Sequence, residues 1–307
     1  MNNRILAVVV THNRFPLLVR CLNALRHQTC SDFDILVVDN ASTDDTPQWL
    51  SSQNDLTTLR LNENTGGAGG FSAGVKEAVQ RGYQRIWLMD DDTFCQPDTL
   101  QQLKEADHLL QGQFGFLSSA VLWKDGRECK MNRQKIKKSF YTEVHQLREG
   151  LILIDQATFV SLYLNAQAVI DWGLPIRQYF IWGDDIEYTL RLSSHTPCYL
   201  CGKSQVVHWM DNNCGSSIAL DQPQRLNRYR YAFRNENCTY RRRGLKGFAY
   251  YLAKCGLNLY RILRFAPDHR LLRSSILLGG MIRGLFFNPP IEQVRPPVSK
   301  EEPYESA

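Results

Sequence analysis

The sequence predicts an α/β fold built on a doubly wound, largely parallel sheet, and three observations carry that expectation. Short apolar runs alternate with segments of helical periodicity, joined by brief polar links. One run, Ile86-Trp87-Leu88-Met89, is apolar at every position, as suits a strand covered on both faces of a parallel sheet. Several runs end in polar or acidic turns, and in such sheets ligands gather beyond the carboxyl ends of the strands.

Residues 5–10 form a β-branched-rich first strand that ends in Thr11-His12-Asn13-Arg14. Pro16 suits the first turn of a helix carrying Leu17, Leu18, Cys21, Leu22 and Leu25 at helical spacing. Residues 33–38 are the next strand, closed by Asp39, and Ser42 or Thr43 is placed to cap the helix after it. Residues 56–61 read as a third strand, followed by a loop with four glycines, Gly66, Gly67, Gly69 and Gly70. A helix over 71–82, the strand at 86–89 and a helix near 98–111 follow. Residues 124–148, rich in Lys, Arg and Gln, read as a loop on the acceptor side with nothing diagnostic in it. Residues 151–154 and 158–164 are strands, 173–176 a turn, and the pattern becomes helical from Asp184.

Three adjacent carboxylates, Asp90, Asp91 and Asp92, repel one another and resist burial unless a positive group neutralises them. A hard divalent cation shared with a phosphate is the simplest partner; a solvated acidic turn is the alternative. The glycine run lacks both the Gly-Lys-Ser/Thr of a Walker loop and the Gly-x-Gly-x-x-Gly spacing of a dinucleotide site. It still lets backbone N–H groups approach a ligand closely. Asp39, ending an apolar strand, can accept hydrogen bonds from a nucleobase imide or a ribose hydroxyl. Asp184, Asp185 and Glu187 stand at a helix N-terminus, where acids either complement the helix dipole or supply a general base. Cys198-Tyr199-Leu200-Cys201, with His195 nearby, is half a zinc site without a second pair, so two thiols in a strand are expected. His208, ending a short strand, reads on its own as a structural histidine.

Taken together, Val-Val-Val-Thr-His-Asn-Arg, Val-Val-Asp-Asn-Ala-Ser-Thr-Asp, Asn-Thr-Gly-Gly-Ala-Gly-Gly-Phe and Trp-Leu-Met-Asp-Asp-Asp resemble glycosyltransferase family 2. The glycine-rich and triple-Asp forms are most similar to its galactofuranosyltransferase and rhamnosyltransferase branch. The resemblance implies a GT-A fold, a Rossmann-like mixed sheet flanked by helices, over residues 1–224. It implies donor-nucleotide contacts from Thr11, Arg14, Asp39, Asn64, Gly66, Gly67 and Asp91, with the 66–70 loop closing over ribose-phosphate or sugar. It also implies an Mn²⁺ or Mg²⁺ ion held by Asp90, Asp92 and His208, with Asp185 as general base and Trp182, Asp184 and Glu187 at the acceptor. The implied reaction transfers galactofuranose from UDP-galactofuranose, with inversion, to a lipid-linked saccharide of a cell-surface polysaccharide. A dTDP-rhamnose donor is the near alternative, and a catalytically silent saccharide- or nucleotide-binding module the remote one. A sugar-nucleotide pyrophosphorylase is excluded, because Thr11-His12-Asn13-Arg14 contains no glycine.

Charge divides the molecule. Residues 225–288 hold fourteen Lys/Arg against two acids, a net of +12 that leaves the rest of a +5 chain at −7. A basic, aromatic helical segment of this kind expects an anionic partner. An anionic membrane surface is the expected one, with a cap on the catalytic body or a homo-oligomer contact as alternatives. No nucleic-acid motif accompanies the charge. Residues 271–287 are apolar, but Arg273 and Arg283 make them a poor spanning helix. The six-residue run at 5–10 is too short for a signal sequence or a span, so a cytoplasmic protein, peripheral on the inner face of the membrane, is expected. Nine scattered cysteines suit reduced thiols. Residues 289–307, with five prolines by Pro303, are expected to be disordered.

Overall fold

The computed structural model of the chain describes residues 4–138 and 143–297. A ten-stranded sheet runs in the order β3-β2-β1-β4-β9-β6-β10-β8-β7, with β5 paired to β10. Its first half is parallel: β1 (Ile5–Thr11) lies between β2 (Asp34–Asp39) and β4 (Arg85–Asp90), and β3 (Thr57–Arg60) pairs with β2. Past β4 the sheet becomes mixed, because β9 (Leu162–Asn165) runs antiparallel to both β4 and β6 (Phe116–Trp123). β10 (Tyr199–His208) is parallel to β6 and antiparallel to β8 (Leu151–Gln156) and to β5 (Thr93–Cys95). β7 (Lys135–Ile136) closes the far edge.

β1 shows why its run is apolar throughout. Ile5, Ala7 and Val9 point into one core with α1 (Phe15–Arg26) and α4 (Thr99–Leu109). Leu6, Val8 and Val10 point into the other with α3 (Gly66–Gln80), α6 (Ala166–Trp172) and α7 (Asp184–Ser193). Strand pleating sends alternate residues to opposite faces, and both faces here are covered.

The glycine run is not a loop. It forms the first turns of α3, which starts at Gly66 rather than at residue 71. Glycine is a poor helix former, but these glycines let the helix lie directly on the sheet. A Cβ at Gly70 would stand 2.5 Å from Val10 Cγ1, and one at Gly74 would stand 2.4 Å from Val8 Cγ1. The expected cap on α2 (Thr46–Ser51) is also absent: Ser42 Oγ instead accepts the Asn13 N–H at 3.0 Å.

Three helices follow the sheet: α8 (Leu226–Arg241), α9 (Gly244–Phe265) and α10 (Arg270–Phe286). They share a core of their own around Phe233, Tyr251, Ile262 and Ile276. Gly280 and Gly284 bring α10 against α8, since Cβ atoms there would meet Phe233 and Asn237 at 2.6 and 2.4 Å. Arg273 is buried and donates to the carbonyls of Ile218 (2.7 Å) and Asp221 (3.0 Å), so α10 is anchored by the residue that spoils it as a span. No helix among the described residues is long and apolar enough to cross a membrane.

Residues 289–297 are ordered, contrary to the expectation for the tail. Val294 is buried in the α3-side core, Leu174 N–H donates to Glu292 O at 2.8 Å, and Glu292 pairs with Lys76 at 2.7 Å. One apolar anchor between prolines suffices to pin an extended strap. Residues 298–307 lie outside the described part.

A glycine-to-alanine change on an exposed helix stabilises by about 1 kcal/mol. Gly74→Ala should do the reverse, costing about 1–3 kcal/mol by overpacking against Val8 and Val38. Urea midpoints at unchanged slope give the sign, and a stabilised variant would contradict the packing role.

Candidate active site

Register sets the site. In the parallel half Thr11 stands beside Asp39 and Val10 beside Asp90, so three strand ends open on one edge. The chain turns through Asp91 and Asp92 into β5, whose antiparallel pairing places Thr93 opposite His208 at the end of β10. Trp209 N–H donates to Asp92 O at 2.9 Å, which ties the two segments together.

The acidic turn is neutralised by the protein. Arg14 Nη1 lies 2.6 Å from Asp92 Oδ2 and 3.3 Å from Asp91 Oδ1, and Thr11 Oγ1 donates to Asp91 Oδ2 at 2.7 Å. Burial pushes the Asp90 carboxyl up to about 8, with the charges of Asp92 and Asp91 adding to it. Burial likewise lifts Asp91 to about 7 against the pull of Arg14. Burial opposes the charge on Asp92 too, yet His208 and Arg14 hold its carboxyl below the ordinary range. Burial lowers and Asp92 raises His208, and the ion pair prevails, lifting it to about 10.

Asp92 Oδ1 is buried and accepts no hydrogen bond, although His208 Nε2 stands 3.0 Å away. The imidazole is aimed by Asn132, whose Oδ1 accepts from Nδ1 at 2.7 Å. Two ligands at right angles on an ion with bonds of about 2.1 Å stand about 3.0 Å apart. An orphaned carboxylate oxygen beside an oriented imidazole therefore fits a hard divalent cation. The expected trio does not assemble, however. Among the described residues no three His, Cys, Asp or Glu side chains are grouped closely enough to hold an ion. Arg14 occupies the position of counter-charge between the carboxylates.

Asp39 is fully buried. Its Oδ1 accepts the Ser42 N–H at 2.8 Å, while Oδ2 accepts nothing and has only Arg60 Nη1 at 3.7 Å. A buried oxygen without a partner is costly unless a ligand supplies one. Asn64 is engaged locally, accepting the Gly66 N–H at 2.9 Å. Gly66 has φ +72°, and a Cβ on it would strike Phe180 O at 1.9 Å, whereas Gly67 opens on free space. Gly66 is thus fixed by packing, and Gly67 alone of the two leaves room beside it.

The second acidic cluster arrives on α7. The loop before it is strained, with positive φ at Phe180 (63°), Trp182 (62°) and Gly183 (86°). Such backbone persists where surroundings over-determine it, and it clusters at functional sites. Here the clamp is Asn235 of α8. Its Nδ2 lies 2.9 Å from Tyr179 O, 2.7 Å from Trp182 O and 3.2 Å from Ile181 O, and Arg234 donates to its Oδ1. Trp182 packs edge-on against Tyr229 at 4.8 Å and lies under Arg225, an aromatic platform beside the acids. Asp185 accepts the Ile186 N–H at 2.7 Å. Burial raises its carboxyl to about 6, and the backbone amides at the helix start restrain the rise. Burial raises Asp184 further, helped by the charges of Asp185 and of Asp90. Glu187 is different. Both its oxygens are taken by Arg191 at 2.9 Å, and Arg191 also donates to Leu174 O, so Glu187 braces α7 instead of facing the cleft.

Sequence reasoning missed Asn132, Asn235 and Asn40. Asn132 falls in the basic stretch that looked undiagnostic. Asn235 is a fully buried amide on the packed side of α8, and such a residue signals a partner even before the partner is known. Asn40 holds the start of α3 through Thr65 N–H (2.9 Å) and Gly66 O (2.9 Å). Burial, reinforced by the charges of Arg225 and Arg14, lowers the pKa of Arg228.

A parallel sheet with acids at its strand ends, extended by antiparallel strands and faced by a helix-borne acid pair, defines the GT-A type of nucleotide-sugar transferase fold. Residues 6–152 match the family model Glycosyl transferase family 2. Galactofuranosyltransferase GlfT1 of Mycobacterium tuberculosis is 39% identical over 99 residues, which are 31% of this chain and 33% of that protein. The chain thus spans about a third of the length of the galactofuranosyltransferases it matches. A PGL/p-HBAD biosynthesis glycosyltransferase of Mycobacterium bovis is 27% identical over 184 residues, 55% of this chain and 67% of that one. Among solved structures, mannosyltransferase PcManGT from Pyrobaculum calidifontis with GDP-Man and Mn²⁺ superposes with TM-score 0.57 at 15% identity, covering 92% of this chain and 87% of that one. S. aureus TarS 1–349 with UDP gives 0.53 at 16% identity, covering 92% and 72%. These likenesses establish the fold.

Two outcomes follow from the acid geometry and the clamp. A folded-state carboxyl raised above its unfolded value costs stability increasingly as pH rises past the ordinary range, because the unfolded chain sheds the proton first. Asp184→Asn should therefore raise Tm by about 2–4 °C at neutral pH, with the gain vanishing near about pH 4; a pH-independent change would contradict it. Asn235→Ala should cost about 1–3 kcal/mol and speed amide exchange across residues 179–187. Unchanged exchange there would remove the clamp.

Proposed function

We propose that the chain is an inverting glycosyltransferase that moves a sugar from a nucleoside diphosphate to a hydroxyl of a saccharide acceptor. One observation carries the reading: Ala68 N–H donates to Phe180 O at 3.2 Å and Asn40 Nδ2 donates to Gly66 O at 2.9 Å, so the loop leading into Asp184 and Asp185 is fixed beside the strand ends that carry Asp39 and Asp90. The 39% match over 99 residues to a galactofuranosyltransferase supports galactofuranose as the sugar moved; UDP-galactofuranose as donor and a lipid-linked saccharide as acceptor are what the motif resemblance implies.

Asp39 Oδ2 is the open acceptor for a donor N–H or O–H of the nucleoside, and Asp91, fixed by Thr11, is close by for ribose or sugar hydroxyls. Arg14 supplies positive charge where the diphosphate arrives. Asp92 and His208 are the residues that would hold Mn²⁺ or Mg²⁺. When bound, the ion supplies Lewis-acid assistance to the departing diphosphate. Asp185 takes the proton of the acceptor hydroxyl as its oxygen bonds to the anomeric carbon. The bond from that carbon to the diphosphate oxygen breaks at the same time, and the nucleoside diphosphate leaves with the electron pair. One base and one displacement invert the carbon. Trp182 offers its face to the acceptor ring, Asp184 orients the acceptor, and Glu187 keeps α7 in place.

Donor consumption with UDP-galactofuranose, dTDP-rhamnose and UDP-glucose, with Mn²⁺ and with EDTA, tests the reading on a pool of lipid-linked saccharides. Turnover of UDP-galactofuranose alone is expected. Turnover of dTDP-rhamnose alone would overturn the donor, and turnover indifferent to EDTA would overturn the metal site. Asp185→Asn should lower kcat by about 10²–10⁴ with donor KM preserved. The base acts ionised, so wild-type kcat/KM for the acceptor should rise with pH and level off above about 6.

A further inference from the structure

The outer faces of α9 and α10 are apolar, exposed and free of acids. Leu245, Leu252 and Leu263 project from α9, and Leu271, Ile282 and Phe286 from α10; Leu245 is 89%, Leu271 88% and Phe286 84% exposed. Neither helix contains a single Asp or Glu. A core-capping helix has one apolar stripe, and here each helix has two. Tyr251, Cys255 and Ile262 of α9, and Ile276, Leu277 and Gly280 of α10, already serve the inner core. On α10 the exposed residues lie opposite this inner face, and on α9 they lie about a quarter-turn round from it; both stripes are left over, and exposed apolar patches mark an interaction surface.

Charge decides what covers them. Lys246 and Arg264 flank the apolar stripe of α9, and Arg270 and Arg283 lie on exposed parts of α10. Lys254 and Arg273, by contrast, pair with Glu236 and Asp268, so the two acids of the unit are spent on other cations. A second copy of the chain would set one cationic face against another. A bilayer with anionic headgroups satisfies both features at once, taking the leucines into its boundary and the cations at its surface.

We infer that α9 and α10 lie flat on an anionic membrane, with their outer apolar stripes sunk to the acyl boundary. They rest on the surface without crossing it, in keeping with the absence of a spanning helix among the described residues. The same unit reaches the catalytic loop, because α8, packed on α10 through Gly280 and Gly284, carries Asn235. A lipid-linked acceptor in that surface would thus meet Trp182 and Asp185 without leaving the bilayer. This inference deepens the transfer reading and takes its purpose from it, but binding alone tests it.

Flotation of the full chain with vesicles of phosphatidylcholine alone, and of phosphatidylcholine with about a third phosphatidylglycerol, needs no sugar nucleotide. Capture on the anionic vesicles only, reduced by high salt, is the expected result. The double variant Leu252→Glu with Leu263→Glu, and separately Ile282→Glu, should cut the bound fraction about tenfold while the Tm stays close to wild type. Failure to float with anionic vesicles would overturn the inference, as would flotation that the variants leave unchanged. Self-association by sedimentation that the same variants abolish, without vesicle binding, would assign the face to a second copy instead. Any of these failures leaves the transfer reading standing, because donor consumption is measured separately.

Discussion

Three carboxylates in a row at the end of a strand buried on both faces make the demand that the surrounding structure meets. Left alone, Asp90, Asp91 and Asp92 would repel and draw protons, and burial does push two of them toward neutrality. The chain answers with cations from two directions. Arg14 comes from the turn after β1, and His208 from the far end of β10, delivered by the short pairing of β5. β9 and β6 stand between β4 and β10 in the sheet, and it is β5, paired with the end of β10, that brings the acidic turn to His208. What results is a charge-balanced acidic cradle whose balance a divalent cation and a diphosphate can take over.

A second constraint joins the two ends of the cleft. The loop at 180–183, which presents Trp182 and leads into Asp184 and Asp185 at the head of α7, holds backbone angles that residues other than glycine rarely adopt. It is held from behind by Gly66 of α3, which leaves room for Phe180 O, and from above by Asn235 of α8. The start of α3, the loop at 180–183 and α8 thus meet at one point. The positive charge of residues 225–288 is therefore divided: Arg225 lies over Trp182, while Lys246 and Arg264 accompany the outer apolar stripe.

Much of this was legible where local chemistry and tertiary demand agree. The apolar runs of β1, β2 and β4 could only be strands covered on both sides, and the polar residues ending them had to open on one edge. The glycine run misled because its pattern is that of a loop, while its cause is close packing of α3 on Val8 and Val10, a relation between distant segments. β5, three residues long, has no periodicity to read; only its pairing with β10 defines it. The strap at 289–297 looked disordered by composition, yet Val294 and Glu292 find partners in the body. Asn132 and Asn235 were silent for the same reason, since an amide's importance lies in what it faces. Glu187 looked like a third acid of the acceptor site until Arg191, one turn on, claimed both its oxygens.

The central claim is that the β1–β2–β4 edge receives a nucleoside diphosphate with a divalent cation. Calorimetric titration of UDP into the full chain, with Mn²⁺ and then with EDTA, tests it most directly when repeated on Asp92→Asn and Asp39→Asn. Binding that needs Mn²⁺ and the Asp92 carboxylate, and that weakens when the Asp39 carboxylate is lost, is the result the account predicts. Binding of UDP indifferent to EDTA and to both substitutions would place the nucleotide elsewhere and contradict it.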